Sequence, residues 1–464
     1  MTKDLTHGNP LKVILLFVYP LILGNLFQQF YSLTDTIIVG RFVGLSALAA
    51  VGSTGSVSYL ILGFVIGVCN GFAIPIAQCF GARDEEGLRR HVANAVWLCA
   101  GMAAVLTVAT VLLTRPILLL MRTPADILDD AAAYIGWIFA GIPFVFLYNM
   151  VACIMRALGD SKTPLYFLLL TSGLNVVLDL LLVLVFHQGV FGAALATDVS
   201  QAISGALSLG YLVRRFAILK MRAGDWSFRQ AVAARLCGMG IPMGLQCTIT
   251  AVGAVVMQGA VNGLGSTAVA AVTASGKTSG LLGVAFDSLG TAVATYTGQN
   301  LGARRLDRVR SGVRYALGVS TVYAALCAAV IRLIDVPVIG LFIDTRAEAE
   351  VVTLARTYLH WNVWFFAVLG LLILYRYAIQ GMGYSGLAMI AGVAEMVARI
   401  GVALVLVPLF GFYGACLSNP AAWAAACVFL LPAYRWTVKH LANRMQADQL
   451  HSTPAKTDPG AHAI

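Results

Sequence analysis

Charge is what this 464-residue chain has least of: only 11% of its residues are Asp, Glu, Lys or Arg. A water-soluble domain carries about 25%, so a globule of this composition cannot cover itself with a hydrated surface. Paired cysteines are also missing. The nine cysteines stand singly, with no C-x-x-C pair, and read as small buried hydrophobes rather than disulfide partners or zinc ligands. No histidine falls at metal-ligand spacing, and His187 and His360 stand alone, without a Ser or Cys nucleophile nearby. The chain is therefore expected to be no enzyme, with no catalytic residue, no structural metal and no cofactor.

What remains is apolar. Hydrophobic residues make up 59% of the chain, and runs of about 20 or more mark membrane-spanning helices. They fall near residues 11–38, 45–77, 92–114, 130–154, 164–186 and 190–213, then near 231–261, 266–298, 312–334, 353–378, 387–408 and 411–438. The fold expected is all-α and integral to the membrane, with twelve spans in two six-helix bundles. Residues 1–9 are polar and lead into the first span without a small-residue cleavage site, so that span itself is expected to insert the chain.

The net charge of +10 is unevenly placed. Of the 31 Lys and Arg, 23 fall in one set of alternate loops and termini and six in the other, while Lys277 and Arg399 lie within spans. Lys and Arg accumulate on the cytoplasmic side. Both termini are thus expected in the cytoplasm, with the bundle in the inner (cytoplasmic) membrane. The basic clusters read as topology signals, and no nucleic-acid partner is expected, since no recognition module accompanies them.

The chain repeats itself. Gln78-Cys-Phe-Gly81-Ala-Arg83 returns as Gln299-Asn-Leu-Gly302-Ala-Arg304 at an offset of 221 residues, and Pro20 is echoed by Pro242 at 222. Six spans per half give both halves the same orientation, a parallel repeat about an axis along the membrane normal. The divisions expected are a first lobe at 1–213, a basic cytoplasmic linker at 214–235, a second lobe at 236–440 and a disordered cytoplasmic tail at 441–464. Pro20 and Pro242 sit early in the first span of each lobe, where proline kinks a helix; they are hinge candidates or only shape the bundle.

The membrane acids break the repeat: Asp35 meets Met257 in the second half, and Asp179 meets Gly401. An acid at the centre of a membrane helix costs about 2.5–3.5 kcal/mol on insertion scales, so each needs a reason. On span 1, Asn25, Gln28, Ser32 and Asp35 follow one another at steps of 3, 4 and 3, which makes one polar stripe. Span 5 carries Asn175 and Asp179 on one face, span 6 offers Thr197 and Asp198, and span 4 offers Asn149. At 1.5 Å per residue, Asp35 lies roughly 9 Å below Arg41 and Asp179 roughly 12 Å below His187. Three spans thus bring polar groups to one depth. A single Asn or Thr there fits a helix-joining role equally well, but two acids at matching depth favour ion exchange. A carboxylate in a dry site resists ionisation, and a second acid beside it opposes ionisation further, so such a pair trades a proton or sodium ion for cargo.

The second half carries a different set. Glu395 and Arg399 are four apart and able to pair; Asp287 and Lys277 share span 8, some 80° apart around the helix, and Arg376 lies near the inner end of span 10. These form a possible second coupling site or a structural charge network, with Asp287 the leading extra site.

The order of Asp35-Thr36, Gly40-Arg41, Ala49-Ala50-Val51-Gly52, Gly81-Ala82-Arg83, Arg156-Ala-Leu-Gly-Asp-Ser-Lys-Thr-Pro164, Asn175-x-x-x-Asp179, Gly192-Ala-Ala-Leu-Ala-Thr197 and Gln299-Asn-Leu-Gly-Ala303 resembles the multidrug and toxic compound extrusion (MATE) family over about residues 10–440. The resemblance implies two six-helix lobes in a V and cation-coupled export of organic compounds by alternating access. It also implies a first-lobe ion site at Asp35, Asn175 and Asp179, supported by Asn149 and Thr197. The chain departs from the NorM-like branch, having no acid around residues 248–254 or between Tyr358 and Ile379. It is more similar to the DinF-like and MepA-like bacterial members, sharing their Gly-Gln-Asn-x-Gly-Ala and Glu-x-x-x-Arg segments.

The expected function is therefore an antiporter, working as a monomer, that expels lipophilic, cationic compounds as H+ or Na+ enters. Two rivals stand beside it. One is a lipid-linked precursor flippase of the same superfamily, which would need a cationic cavity for pyrophosphate. The other is a membrane-embedded enzyme or non-transporting scaffold.

Overall fold

The structure is a computed structural model and describes residues 4–121, 123–342 and 348–452. Helix dominates, and no strand occurs among the described residues. That outcome follows from the composition, because in hydrocarbon every backbone donor and acceptor must find a partner inside the segment.

The first lobe comprises α1 (Pro10–Ile38), α2 (Leu45–Gly81), α3 (Glu85–Leu120), α4 (Leu128–Ala140), α5 (Ile142–Ala157), α6 (Lys162–Asp179) and α7 (Gly189–Arg215). The second comprises α8 (Gln230–Asn262), α9 (Ser266–Gly302), α10 (Leu306–Ile339), α11 (Ala349–Trp364), α12 (Phe366–Gly381), α13 (Ser385–Gly401), the short α14 (Val407–Phe410) and α15 (Phe412–Cys416), and α16 (Ser418–Ser452). Among the described residues, ten helices are long and apolar enough to cross a membrane. Two further pairs, α4–α5 and α11–α12, bend by 44° and 48° at their junctions and bring the total to twelve if each is one span. The sequence reading took spans 4 and 10 as continuous. Pro143 at the start of α5 helps to explain the first break, since proline supplies no backbone donor there. Phe365 marks the second, where no proline intervenes. Pro20 and Pro242 lie inside α1 and α8, which run unbroken through them.

Among the described residues, three π-helical turns, Val39–Val43, Leu180–Val185 and Val402–Leu406, follow α1, α6 and α13. The last two occupy equivalent places in the two lobes. Such turns insert an extra residue into the helical ladder and often lie at functional positions.

The segment joining the lobes is shorter and better anchored than the basic linker expected at 214–235. It runs between Arg215 and Gln230, with two 3-10 turns at Ala217–Leu219 and Ala223–Trp226. Three residues of α3 hold it: Arg89 Nε donates to Asp225 at 3.0 Å, Trp97 Nε1 to the Trp226 carbonyl at 3.1 Å, and Asn94 accepts from the Arg229 amide at 2.9 Å. At the other end, α16 carries helix to Ser452, past the tail boundary expected at 441; residues 453–464 lie outside the described residues.

The lobes meet where α2 packs against α8 and α9. At the arginine-rich end, a Cβ on Gly71 would fall 2.5 Å from the Gly240 Cα, and one on Gly67 2.7 Å from the Gly244 Cα. Small residues let these two backbones touch. Towards the opposite end, Gly52 and Gly55 of α2 and Gly276, Gly280 and Gly283 of α9 face nothing within 4 Å. Backbone contact thus joins α2 to α8 at one end, while α2 and α9 border open space towards the other.

Candidate functional site

The acids of the first lobe converge. Asp35 comes from the last turn of α1 and Asp179 from the last residue of α6, each followed by a π turn that packs against the other. Their carboxyls lie side by side, and Asp179 is fully buried. Asn175, one turn earlier on α6 and also fully buried, donates from Nδ2 to Thr197 Oγ1 of α7 at 3.2 Å. Asp35 Oδ1, both oxygens of Asp179 and Asn175 Oδ1 meet no hydrogen-bond donor among the described residues. Four buried acceptors clustered without a donor suit a proton or a small cation, because each acceptor left bare in an apolar setting is costly.

Asp198 follows Thr197 on α7. It is buried, and a Cβ on Gly141, at the break between α4 and α5, would fall 1.9 Å from its Oδ1. The bend in span 4 thus makes room for this carboxylate.

Two tyrosines went unnoticed in the sequence. The Tyr31 hydroxyl lies close to Thr197, and both Tyr31 and Tyr134 share the electrostatic surroundings of Asp35, Asp179 and Asp198. Tyr31 had a legible signal, one turn before Asp35 on the same face of α1. Tyr134 on α4 had none, since only packing brings it there.

Other expected members stand apart. Asn149 donates to the Val145 carbonyl of its own helix at 2.8 Å. Gln28 is exposed on α1, two turns from Asp35. Asn25, in the same stripe, reaches the second lobe and donates to Ser288 of α9 at 3.0 Å.

The second lobe holds a balanced network instead. Buried Glu395 bonds to Arg376 of α12, and Arg399 Nη1 lies 3.7 Å from its second oxygen. The pair expected from spacing, Glu395 with Arg399, is therefore the weaker of two contacts. Asp287 is exposed towards the gap between lobes and lies near Arg376, Tyr377, Cys247 and Tyr59. Lys277 is exposed ten residues earlier on α9. Met257, the counterpart of Asp35, lines a cavity of about 320 Å³ with Thr250, Tyr358, Arg399 and Asn419. Where the first lobe gathers acids, its counterpart presents an arginine.

This architecture has known relatives. The MatE family profile matches residues 20–181 and 242–405, one block in each lobe. A probable multidrug resistance protein, YpnP of Bacillus subtilis, is 31% identical over 371 residues, covering 79% of this chain and 81% of its own. A second from the same organism, YoeA, is 27% identical over 93% of this chain and 95% of its own. Among solved structures, a MATE transporter crystallised in complex with MaL6 superposes with a TM-score of 0.89 at 24% identity, covering 96% of this chain and 100% of that one. Profile, relatives and fold agree with the doubled six-helix plan: the chain is a membrane transporter rather than an enzyme, and it belongs to the MatE family.

Proposed function

We propose that this protein is a multidrug antiporter that exports lipophilic, cationic organic compounds while a proton or sodium ion enters at the first-lobe acids. The observation that carries this reading is the cluster of Asp35, Asp179 and Asn175, whose buried oxygens lack donors. A cation entering from the open end neutralises the pair; its departure at the other end restores two facing negative charges, which repel. Occupancy thus differs between the states of the cycle, the condition for a ligand to drive a conformational equilibrium. Tyr31, Thr197 and Asp198 position this site. Asp287, exposed between the lobes near Tyr59 and Tyr377, is a second carboxylate that cationic cargo can meet there. The relatives named as multidrug resistance proteins support the substrate class, and the arginine-rich closed end supports cytoplasmic termini.

The test is efflux of a lipophilic cationic dye from proteoliposomes under an imposed pH gradient and, separately, an imposed Na+ gradient. One gradient should drive transport, and Asp35→Asn and Asp179→Asn should abolish it with the protein still in the membrane. Undiminished gradient-driven efflux by Asp35→Asn would refute the site; transport indifferent to both gradients would refute the coupling.

A further inference from the structure

The repeated Gln-x-x-Gly-Ala-Arg segment takes no part in the ion site, yet it occupies the place where the lobes close. A Cβ on Gly81 would fall 1.9 Å from the Gln299 carbonyl oxygen, and one on Gly302 would fall 1.9 Å from that of Gln78. The ends of α2 and α9 therefore cross in backbone contact, each repeat's glycine seated on the other's glutamine. Arg83 and Arg304 then turn the chain with the same φ of 57°.

The glutamine side chains obey the same symmetry. Gln78 Nε2 donates to the Gly381 carbonyl at the end of α12, at 3.2 Å, and Gln299 Nε2 donates to the Ala157 carbonyl at the end of α5, at 2.8 Å. Each amide thus crosses to the last residue of the opposite lobe's bent span. The amide oxygens are used as well: Gln78 Oε1 accepts from Arg235 Nη2 at 2.7 Å, and Gln299 Oε1 from the Leu5 amide at 3.0 Å. The second of these ties in the N-terminal segment, whose carbonyls at Thr6 and Gly8 take Arg305 at 2.6 Å and Arg308 at 2.8 Å.

We infer that Gln78 and Gln299 form a two-sided latch that holds the arginine-rich end shut and must release for that end to open. The inference rests on the alternating-access reading above and names gating residues for it. Three features distinguish a latch from static packing. The bonds from both amides cross between lobes. They sit at the closed end, while glycines towards the opposite end of α2 and α9 border open space. Finally, Gln78 lines a pocket of about 580 Å³ with Ala82, Arg235 and Arg304 at that end, so water can replace its bonds as they break. A neutral hydrogen bond exchanged for water is worth little net, which keeps the latch reversible.

The test measures opening without transport. Spin labels on Glu86→Cys and Asp307→Cys, in protein whose nine native cysteines are replaced, report the separation of the lobes at this end by pulsed electron resonance. Gln78→Met and Gln299→Met keep the length of the side chain and lose both bonds of each amide. Each should shift the open-to-closed ratio about tenfold towards open, the size of one or two neutral hydrogen bonds, and the double variant further. Gln78→Asn, one methylene short with both amide functions kept, should shift it in the same direction and serves if the methionine variants fold poorly. An unchanged distance distribution in these variants would overturn the latch. A shift that persists in an Asp35→Asn background keeps the latch whatever becomes of ion coupling.

Discussion

Asn175 reaches across from α6 to donate to the Thr197 hydroxyl on α7 at 3.2 Å. Thr197 also lies against the Tyr31 hydroxyl of α1 and donates to the Ala193 carbonyl at 3.1 Å. One hydroxyl therefore sets the spacing of three helices around Asp179. Thr197→Val keeps the shape and removes the hydroxyl. It should raise the ion concentration for half-maximal efflux roughly threefold to tenfold, the worth of one hydrogen bond in a polar network, while maximal efflux changes less. A proteoliposome titration of the coupling ion checks this.

Gly141 makes a sharper steric prediction. Because a Cβ there would fall 1.9 Å from Asp198 Oδ1, Gly141→Ala should push that carboxylate aside and lower efflux as far as Asp198→Asn does. Gly173 on α6 faces nothing within 4 Å, so Gly173→Ala should leave efflux unchanged. Equal activity of the two alanine variants in a dye-efflux assay would contradict a role for Asp198.

The second-lobe network predicts stability. Glu395 is the shared carboxylate of Arg376 and Arg399, and all three lie largely out of solvent. Glu395→Leu strands two cations and should cost about 3–5 kcal/mol. Adding Arg376→Leu should recover part of that loss, because one unpaired charge goes with it. Unfolding of the purified variants in detergent, followed by tryptophan fluorescence, gives the comparison.

The connector carries a pH dependence of defined sign. The Asp225 carboxyl is held below its ordinary range, first by the Arg222 amide and then, against its burial, by the Arg89 guanidinium. A carboxylate lowered in the folded state adds stability that is complete above its unfolded value, near about 3.9. That stability is lost as pH falls through the lower folded value. Between about pH 5 and about pH 2, wild-type protein should lose more stability than Asp225→Asn. Parallel slopes in an acid unfolding series would remove the assignment.

Much of the plan was legible along the chain, because lipid permits few solutions. Apolar length dictated helices, Lys and Arg placement implied a sidedness, and the 221-residue repeat marked two lobes. Asp35, Asn175 and Asp179 could be paired beforehand because an acid in a span needs a reason and helical spacing tells which side chains share a face. Packing decided the rest. Tyr134, Asp198 against Gly141, and Arg376 rather than Arg399 as the chief partner of Glu395 are juxtapositions between helices, and spacing within one helix carries no information about its neighbour's rotation. The repeat itself was written in the sequence; that its glutamines hold each other's lobe was settled only when two helices crossed at Gly81 and Gly302, where the lack of a side chain lets backbone meet backbone.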